Sequence, residues 1–306
     1  MIDVSPKFDT LRYALAEGFL QGRPETLARI FAKSVPKGDV PQVARAAGIL
    51  AAKRTSDWIV FCHPIPLDWV EVHLAPDPDP ERVRVTAEVR SVWKTGVEME
   101  AITAVSAALL NAYDMLKPLD DSLSFGGIRV VKKRGGKSDF RDRPDPSLSV
   151  AILVISDSTF AGRREDKSGR IIKEFLEQQG LAVAVYEVLP DDQERLSQRL
   201  RELTDTEGVR LIFTTGGTGL GPKDLTPEAT RMVLDQEVPG ISEAIRQYGK
   251  ERTPFAMLSR GVVGLRGKAL IVNLPGSSNG AREGMAALFP GLLHAFPMLG
   301  GGGHES

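Results

Sequence analysis

The segment Val209–Gly219 reads VRLIFTTGGTG, and Asp224–Glu228 shortly after it reads DLTPE. The apolar residues predict a buried strand and the glycines predict a tight turn. Thr226 as N-cap and Pro227 at the first helical position predict the start of a helix. A strand, a glycine-rich turn with hydroxyl groups, an acidic residue and a new helix are together typical of a site for phosphate and a metal ion.

Buried strands alternate with helices on both sides of that segment. Strands are predicted at 148–155, 181–189, 209–215 and 269–273, and helices at 167–179, 193–203, 227–235, 239–250 and 280–289. This alternation predicts a three-layer α/β domain with a mostly parallel sheet. Ligands bind at the carboxyl ends of such strands. Polar or glycine-rich turns occur at four of those ends, namely Ser156-Asp157, Pro190–Asp192, Thr215–Gly217 and Asn273–Gly276.

The glycine-rich turn offers backbone N–H groups to phosphate oxygens, but no Gly-Lys-Ser/Thr follows it, so it is not a Walker A loop. Asp224 cannot donate to phosphate and is better interpreted as a Mg²⁺ ligand, directly or through water. Asp191, at a neighbouring strand end, could supply a second carboxylate. The alternative interpretation, that the glycines form only a turn, does not explain why four strand ends are polar.

The first half shows a different pattern. Alternating apolar residues in 70–74 and 83–89 flank a proline-rich turn, which predicts an antiparallel pair of strands. Helices are predicted at 24–33, 40–51 and 96–117. Helices mixed with an antiparallel sheet indicate an α+β domain.

Candidate catalytic residues lie at both ends of the long predicted helix. Glu98 and Glu100 lie at its start, and Asp114 and Lys117 share one face at its end. A carboxylate paired with a lysine can serve acid–base chemistry, although a solvated ion pair is equally compatible with the spacing. Further lysines, including Lys37, Lys53 and Lys133, could hold a polyphosphate by charge.

Glu100 and Asp114 are fourteen residues apart, which is about 21 Å along a straight helix. One small substrate cannot easily meet both ends, so we expect a site assembled across a subunit interface. Cys62 is interpreted as structural rather than as a nucleophile paired with His63, because adjacent residues of an extended segment point to opposite sides. The histidines have no metal-ligand spacing, so no structural metal is expected.

Composition sets the remaining expectations. The 306 residues suit two domains, 1–140 and 148–300, with a polar linker at 141–147 and a disordered tail at 301–306. A net charge of −1 argues against a binder of nucleic acid or membrane surfaces. No apolar run is long enough to span a membrane, the N-terminus does not resemble a signal peptide, and the single cysteine excludes an internal disulfide. A cytoplasmic location is therefore expected.

The second half resembles the molybdopterin-binding family of molybdenum-cofactor biosynthesis, the MogA/MoaB type. The motifs that carry the resemblance are Ile155–Asp157, Leu189–Asp191, Thr214–Gly219 with Asp224–Glu228, and Asn273–Gly276. The resemblance implies transfer of AMP from Mg-ATP to molybdopterin, with Asp191 and Asp224 catalytic or positioning the metal. It implies that Thr215, Gly216, Gly217, Thr218 and Gly219 hold phosphate, and that Ser156, Asp157, Pro275, Gly276 and Ser277 line the pocket. It also resembles the MoaB branch in its short C-terminus.

The first half resembles the cyclic pyranopterin monophosphate synthase family, the MoaC type. The matching motifs are Met1–Ser5, Lys37–Val40, Ala51–Thr55, Cys62–Pro64, Lys94–Ala101, Tyr113–Lys117 and Gly135–Ser138. The resemblance implies conversion of a cyclised GTP derivative to cyclic pyranopterin monophosphate and pyrophosphate. It implies proton transfer by Asp114 and Lys117, a site completed by Lys37, His63, Glu98 and Glu100, binding contacts from Phe61, Cys62 and Met99, and phosphate contacts from Lys53 and Lys133.

The two resemblances fall in one pathway and predict a bifunctional enzyme. They further imply a ferredoxin-like first domain, a trimer or hexamer, and a first site shared between subunits. The alternative treats the second half as a non-catalytic module that binds molybdopterin. A more distant alternative makes both halves nucleotide binders outside this pathway.

Overall fold

The computed structural model of the chain describes residues 1–140, 145 and 147–301. It divides into two compact units, Met1–Phe140 and Arg141–Ser306. Most of the predicted linker, 141–147, and most of the predicted tail, 301–306, lie outside the described residues. No helix in the described part of the chain combines the length and the apolar character needed to cross a membrane.

The first unit is an antiparallel sheet with helices on one face. Its elements are β1 (Thr10–Gln21), α1 (Pro24–Phe31), α2 (Val40–Ala52), β2 (Trp69–Pro76), β3 (Arg82–Trp93), α3 (Glu98–Leu116) and β4 (Ser124–Arg134). The strand order is β2-β3-β1-β4, and all neighbouring strands are antiparallel. The predicted antiparallel sheet is therefore present, and it has four strands rather than one pair.

The helix α3 packs directly on the central strand β1. Ala14, Ala16 and Leu20 of β1 are fully buried in the core of this unit. Gly18 lies where α3 crosses β1. A Cβ added at Gly18 would be only 2.8 Å from Leu109 Cδ1 of α3, so a larger residue would not fit there. This close packing fixes the position of both ends of α3, where the candidate residues lie.

The second unit is a three-layer α/β domain. Its strands are β5 (Val150–Ile155), β6 (Val183–Leu189), β7 (Leu211–Thr215), β8 (Gln236–Glu237), β9 (Val263–Arg266) and β10 (Ala269–Leu274). Its helices are α4 (Asp157–Phe160), α5 (Ser168–Gln178), α6 (Gln193–Arg201), α7 (Thr226–Arg231), α8 (Pro239–Lys250), α9 (Ser278–Leu288) and α10 (Ala295–Leu299). The sheet order is β6-β5-β7-β10-β9-β8; β6, β5, β7 and β10 are parallel, and β9 and β8 form an antiparallel edge.

Alternate residues of the buried strands enter separate cores on the two faces of this sheet. Along β5, Ile152 packs in one core and Leu153 in the other. The predicted α/β architecture with a mostly parallel sheet is confirmed. The carboxyl ends of β5, β6, β7 and β10 lie at one edge, because parallel strands share their direction.

Candidate active sites

A lysine–aspartate–lysine cluster lies at the C-terminal end of α3. Lys117 Nζ is 2.8 Å from Asp114 Oδ1, and Lys37 Nζ donates to Asp114 Oδ2 at 2.8 Å. The Lys37 ammonium also donates to the Asp114 carbonyl oxygen at 2.8 Å. These hydrogen bonds from Lys117 and Lys37 lower the pKa of Asp114 to about 2, and Asp114 in turn raises the pKa of Lys117. Asp114 is therefore ionised and Lys117 protonated at neutral pH.

A second cluster lies at the N-terminal end of α3. Lys133 Nζ on β4 is 3.3 Å from Glu98 Oε1. Glu100 is 2% exposed, and Cys62 Sγ donates to its Oε1 at 3.5 Å. Burial, followed by the Glu100 charge, raises the pKa of the Cys62 thiol to about 11. Cys62 therefore stays a protonated thiol at neutral pH, which does not suit a nucleophile.

Arg12, which was not predicted as a site residue, holds the turn that leads into this cluster. It is 7% exposed, and its Nε and Nη2 donate to the carbonyl oxygens of Trp93 and Lys94 at 2.9 and 3.0 Å. Burial lowers the pKa of Arg12, while the nearby Glu98 opposes that shift. No local sequence feature marks Arg12, because its strand also carries other polar residues such as Glu17 and Gln21.

A single chain does not bring the two clusters together. Glu100 and Asp114 lie on one continuous helix, fourteen residues and about 21 Å apart. Of the other predicted residues, His63 is half-buried, Lys53 is exposed at the C-cap of α2, Phe61 is 75% exposed and Met99 is 39% exposed.

A cleft of about 370 Å³ lies at the carboxyl ends of the parallel strands in the second unit. Its lining includes seven predicted residues: Ser156, Asp191, Thr215, Gly216, Gly217, Gly276 and Ser277. Five other predicted residues, Asp157, Thr218, Gly219, Asp224 and Pro275, do not line it. Arg164 and Lys167 line it as well; neither was predicted, because both lie in a run of five charged residues, 163–167.

The glycine-rich turn requires its glycines. Gly216 and Gly217 have φ values of +105° and +61°. A Cβ at Gly216 would collide with the carbonyl oxygen of Ile155, and a Cβ at Gly217 with Thr226 Oγ1. A Cβ at Gly276 would be 2.9 Å from Gly216 Cα, so the turns after β7 and β10 meet backbone to backbone. Such a bare backbone surface can approach phosphate closely.

Asp157 and Asp191 bind each other reciprocally across two strand ends. The Asp157 N–H donates to Asp191 Oδ2 at 2.9 Å, and the Asp191 N–H donates to Asp157 Oδ1 at 3.1 Å. Lys223 donates to Asp157 Oδ2 at 2.6 Å. The hydrogen bond from Lys223, and then that from the Asp191 N–H, lowers the pKa of Asp157. The Asp157 carboxylate is thus occupied by hydrogen bonds within the chain, and Asp157 orients Asp191 beside the cleft.

Asp224 and Arg260 shape the loop that follows the turn. The Gly221 N–H donates to Asp224 Oδ2 at 2.7 Å. Arg260 Nε donates to Gly219 O at 2.7 Å, its Nη2 donates to the Asp224 carbonyl oxygen, and its Nη1 pairs with Glu228. Arg260 was missed, because nothing in its local sequence links it to a loop some forty residues earlier.

The start of α7 differs slightly from the prediction. The N-cap is Leu225 and Thr226 is the first helical residue, so the predicted N-cap role of Thr226 and the predicted first position of Pro227 were both wrong by one residue. The Thr226 hydroxyl instead donates to Gly216 O at 2.9 Å and ties the helix to the turn. Beneath the turn, the Asn273 amide, 2% exposed, donates to Thr214 Oγ1 and Thr230 Oγ1, both at 2.9 Å.

Asp191, which lines the cleft, and Asp224, in the loop after the glycine-rich turn, are compatible with Mg²⁺ beside a nucleotide phosphate. Asp191 and Asp224 each keep one oxygen, Oδ1, without a hydrogen bond to the described part of the chain. Carboxylates are hard oxygen ligands, and Mg²⁺ usually takes one or two of them and completes its shell with water and phosphate. No group of three His, Cys, Asp or Glu side chains suited to a metal occurs within the described ranges.

Both halves of the chain match known families. Residues 1–136 match the MoaC family, and residues 151–294 match the family described as a probable molybdopterin binding domain. A molybdenum cofactor biosynthesis bifunctional protein from Synechococcus elongatus is 40% identical over 315 residues, which cover 99% of this chain and 98% of that protein.

Two further proteins match one half each. A cyclic pyranopterin monophosphate synthase from a Roseiflexus species is 53% identical over 138 residues, covering 45% of this chain and 87% of that protein. The solved structure of the molybdopterin biosynthesis enzyme MoaB from Thermus thermophilus is 49% identical, with a TM-score of 0.48, and covers 50% of this chain and 97% of that chain.

Proposed function

Since this chain belongs to the family of bifunctional molybdenum cofactor biosynthesis proteins, we propose that each half catalyses one step of that pathway. The first half converts a cyclised GTP derivative to cyclic pyranopterin monophosphate and pyrophosphate. The second half transfers AMP from Mg-ATP to molybdopterin. The observation that carries the proposal is the likeness along the whole chain to proteins named as bifunctional.

In the first half, the protonation states of Lys117 and Asp114 indicate a different role for each residue. The low pKa of Asp114 keeps it ionised, so it cannot serve as a proton donor at neutral pH. Lys117 holds the proton, and Asp114 keeps that ammonium charged and oriented. Lys37 binds the same carboxylate, and Lys133 and Lys53 supply further positive charge for the substrate's phosphates.

The two ends of α3 can act on one substrate if the N-terminal end of α3 in one subunit lies near the C-terminal end of α3 in another subunit. We therefore retain a site assembled between subunits, within a trimer or hexamer. The element order β-α-α-β-β-α-β and the strand order support a ferredoxin-like fold for this unit. Mixing Glu100→Ala and Asp114→Ala chains tests the shared site: mixed oligomers recover activity, and a complete failure to recover contradicts sharing.

In the second half, Asp191 and Asp224 would hold Mg²⁺, which would supply neutralisation of the phosphate charge. Thr215, Gly216 and Gly217 of the turn, with Ser156, Gly276 and Ser277, form the cleft wall that would receive the phosphates. Asp157 acts through Asp191, which it orients. Catalysis consists mainly of positioning and charge neutralisation.

The alternative for the second half is a module that binds molybdopterin without transferring AMP. Full-length protein is incubated with molybdopterin and Mg-ATP, and adenylylated molybdopterin is sought by mass spectrometry. Its formation, and its loss in Asp224→Ala, supports the transferase. Molybdopterin binding without adenylylation in the unmodified chain supports the binding module.

For the first half, the corresponding test measures pyrophosphate release from the cyclised GTP derivative, which should be abolished in Lys117→Ala. Failure of the unmodified chain to bind that compound favours a nucleotide binder outside the pathway.

A further inference from the structure

A second cavity, of about 340 Å³, adjoins the candidate cleft of the second unit, and we call it the side pocket. The turn that follows β10 separates the two: Gly276 and Ser277 line the cleft, whereas Pro275 and Ser277 line the side pocket. Ser259 lines the side pocket as well, directly before the arginine that holds the Asp224 loop. A molecule that reaches the cleft with one end can therefore place its other end in the side pocket.

The side pocket contains an acceptor group without a partner in the chain. The carboxylate of Glu283, on α9, lines it and is half-buried. No hydrogen bond or ion pair joins Glu283 to another residue in the part of the chain that the structure describes. Arg246 lines the same pocket but donates to the Gly261 carbonyl oxygen at 3.0 Å. Arg252 lines it too, and donates to the Tyr248 carbonyl oxygen at 2.6 Å. Glu283 therefore keeps its acceptor capacity for a ligand.

The walls of the side pocket suit a flat ring. Phe255, in the segment between α8 and β9, lines the pocket and is 73% exposed. Gly249, on α8, lies close to the Glu283 carboxylate, because a Cβ added at Gly249 would be 3.9 Å from Glu283 Oε2. Glycines also line the pocket from the facing helix α9, at Gly280 and Gly284. Without side chains at these positions, a slot remains between α8 and α9 beside an uncovered aromatic ring, which is a surface suited to ring stacking.

The chemistry of Glu283 distinguishes between the two ring systems of the proposed reaction, adenine and pterin. The pterin ring of molybdopterin carries an exocyclic amino group next to a ring N–H, so it offers two donors side by side. A carboxylate has two acceptor oxygens and can receive both donors. Adenine instead offers an amino group beside an acceptor nitrogen, which a carboxylate repels. The carboxylate therefore favours pterin over adenine in the side pocket.

We propose that the side pocket binds the pterin ring of molybdopterin, with the two carboxylate oxygens of Glu283 accepting from the exocyclic amino group and the adjacent ring N–H, and with Phe255 stacked on the face of the ring. This inference rests on the proposed function of the second half, which makes molybdopterin a substrate. The phosphate end of the same molecule extends past the turn after β10 into the cleft, where it meets the nucleotide. Glu283 thus determines which ring binds and takes no part in the transfer of AMP.

Exchanging an acceptor for a donor at Glu283 should change which ring the protein prefers. Full-length protein is titrated with hydroxymethylpterin and with the matching lumazine, in which oxygen replaces the exocyclic amino group, and binding is followed by the fluorescence of the ring. The unmodified chain should bind the pterin at least about tenfold more tightly, because the lumazine presents an acceptor to the carboxylate. Glu283→Gln keeps one acceptor and gains one donor, so it should bind the lumazine at least as tightly as the pterin.

Two further variants serve as controls. Glu243→Gln changes an exposed carboxylate on α8 that does not line the side pocket, so it should keep the preference for pterin. Phe255→Ala removes the stacked ring and should weaken the binding of both compounds by about fivefold without changing the preference. Glutamine has the size of glutamate and Glu283 is half-exposed, so folding should be unaffected. An unchanged preference in Glu283→Gln, binding of neither ring by the unmodified chain, or displacement of the pterin by adenosine overturns the proposal.

The adenylylation assay separates this inference from the proposed function. If the unmodified chain adenylylates molybdopterin but the ring preference does not depend on Glu283, the proposed function stands and the pterin site is refuted. If the preference changes in Glu283→Gln but no AMP is transferred by the unmodified chain, the transferase is refuted and the side pocket is supported as a pterin site.

Discussion

Replacing Arg260 with methionine should loosen the loop that carries Asp224. The change removes the donors to the carbonyl oxygens of Gly219 and Asp224 and the ion pair with Glu228, while the Arg260 N–H can still donate to Thr218 O. Hydrogen bonds that involve a charged group contribute about 1.5–3 kcal/mol each. The Arg260 side chain is 34% exposed, so water replaces part of what is lost. We therefore expect the second unit to lose about 3 kcal/mol of unfolding free energy.

Activity should fall in that unit alone. A loop that samples other conformations holds Asp224 in its active position for a smaller share of the time. Each increase of about 1.4 kcal/mol in the activation free energy lowers the rate tenfold. We expect adenylyl transfer to fall by about 10- to 100-fold. Pyrophosphate release by the first half of the same molecule should be unchanged, which provides an internal control.

The two units can be followed separately in one unfolding experiment. All three tryptophans, Trp58, Trp69 and Trp93, lie in the first unit, so their fluorescence reports that unit only, whereas circular dichroism reports both. Arg231→Met is the matched control, because the Arg231–Glu237 pair is half-exposed and such pairs contribute about 0–1 kcal/mol. If Arg260→Met behaves like Arg231→Met in both assays, Arg260 does not hold the loop.

Three other changes test the remaining geometry. Gly216→Ala places a methyl group against the backbone at a positive φ, so adenylyl transfer should be abolished while the first-half rate is retained; near-normal transfer would contradict the geometry of the turn. Asn273→Leu leaves the Val262 N–H and two threonine hydroxyls without their buried partner, and circular dichroism should show a loss of about 2–4 kcal/mol, a value near zero being the contrary result. Because the folded pKa of Asp114 is depressed, its ion pairs stabilise the first unit above about pH 4 and lose that effect as the pH falls to about 2. The stability difference between the unmodified chain and Asp114→Asn, followed by tryptophan fluorescence, should therefore close over that range; a difference that stays constant would exclude these ion pairs as its cause.

The sequence predicted regular elements better than it predicted irregular ones. In the first unit the strands at 69–76 and 82–93 and the helix at 98–116 follow clear periodicities. The central strand β1 was missed because its buried face includes Arg12 and Gly18 while its other face includes the apolar Leu11 and Phe19, so apolar and polar residues do not alternate along it. The strand β4 was missed because glycines and basic residues dominate it.

Local sequence predicted which strand ends form the cleft in the second unit, since a parallel sheet collects those ends at one edge. It could not predict how each carboxylate is used. Asp157 and Asp191 bind each other's backbone, and Asp224 accepts from its own loop, because these pairings depend on distances that only the folded turns define. Residues that act at long range, Arg12 and Arg260, carry no local signal.

The central claim is that one chain carries two separate active sites. The most direct test measures both reactions on full-length Lys117→Ala and full-length Asp224→Ala, with pyrophosphate release for the first half and mass spectrometry of adenylylated molybdopterin for the second. We predict a reciprocal result: Lys117→Ala loses the first activity and keeps the second, whereas Asp224→Ala keeps the first and loses the second. Adenylylation that persists in Asp224→Ala, or loss of both activities in either variant, would contradict the claim.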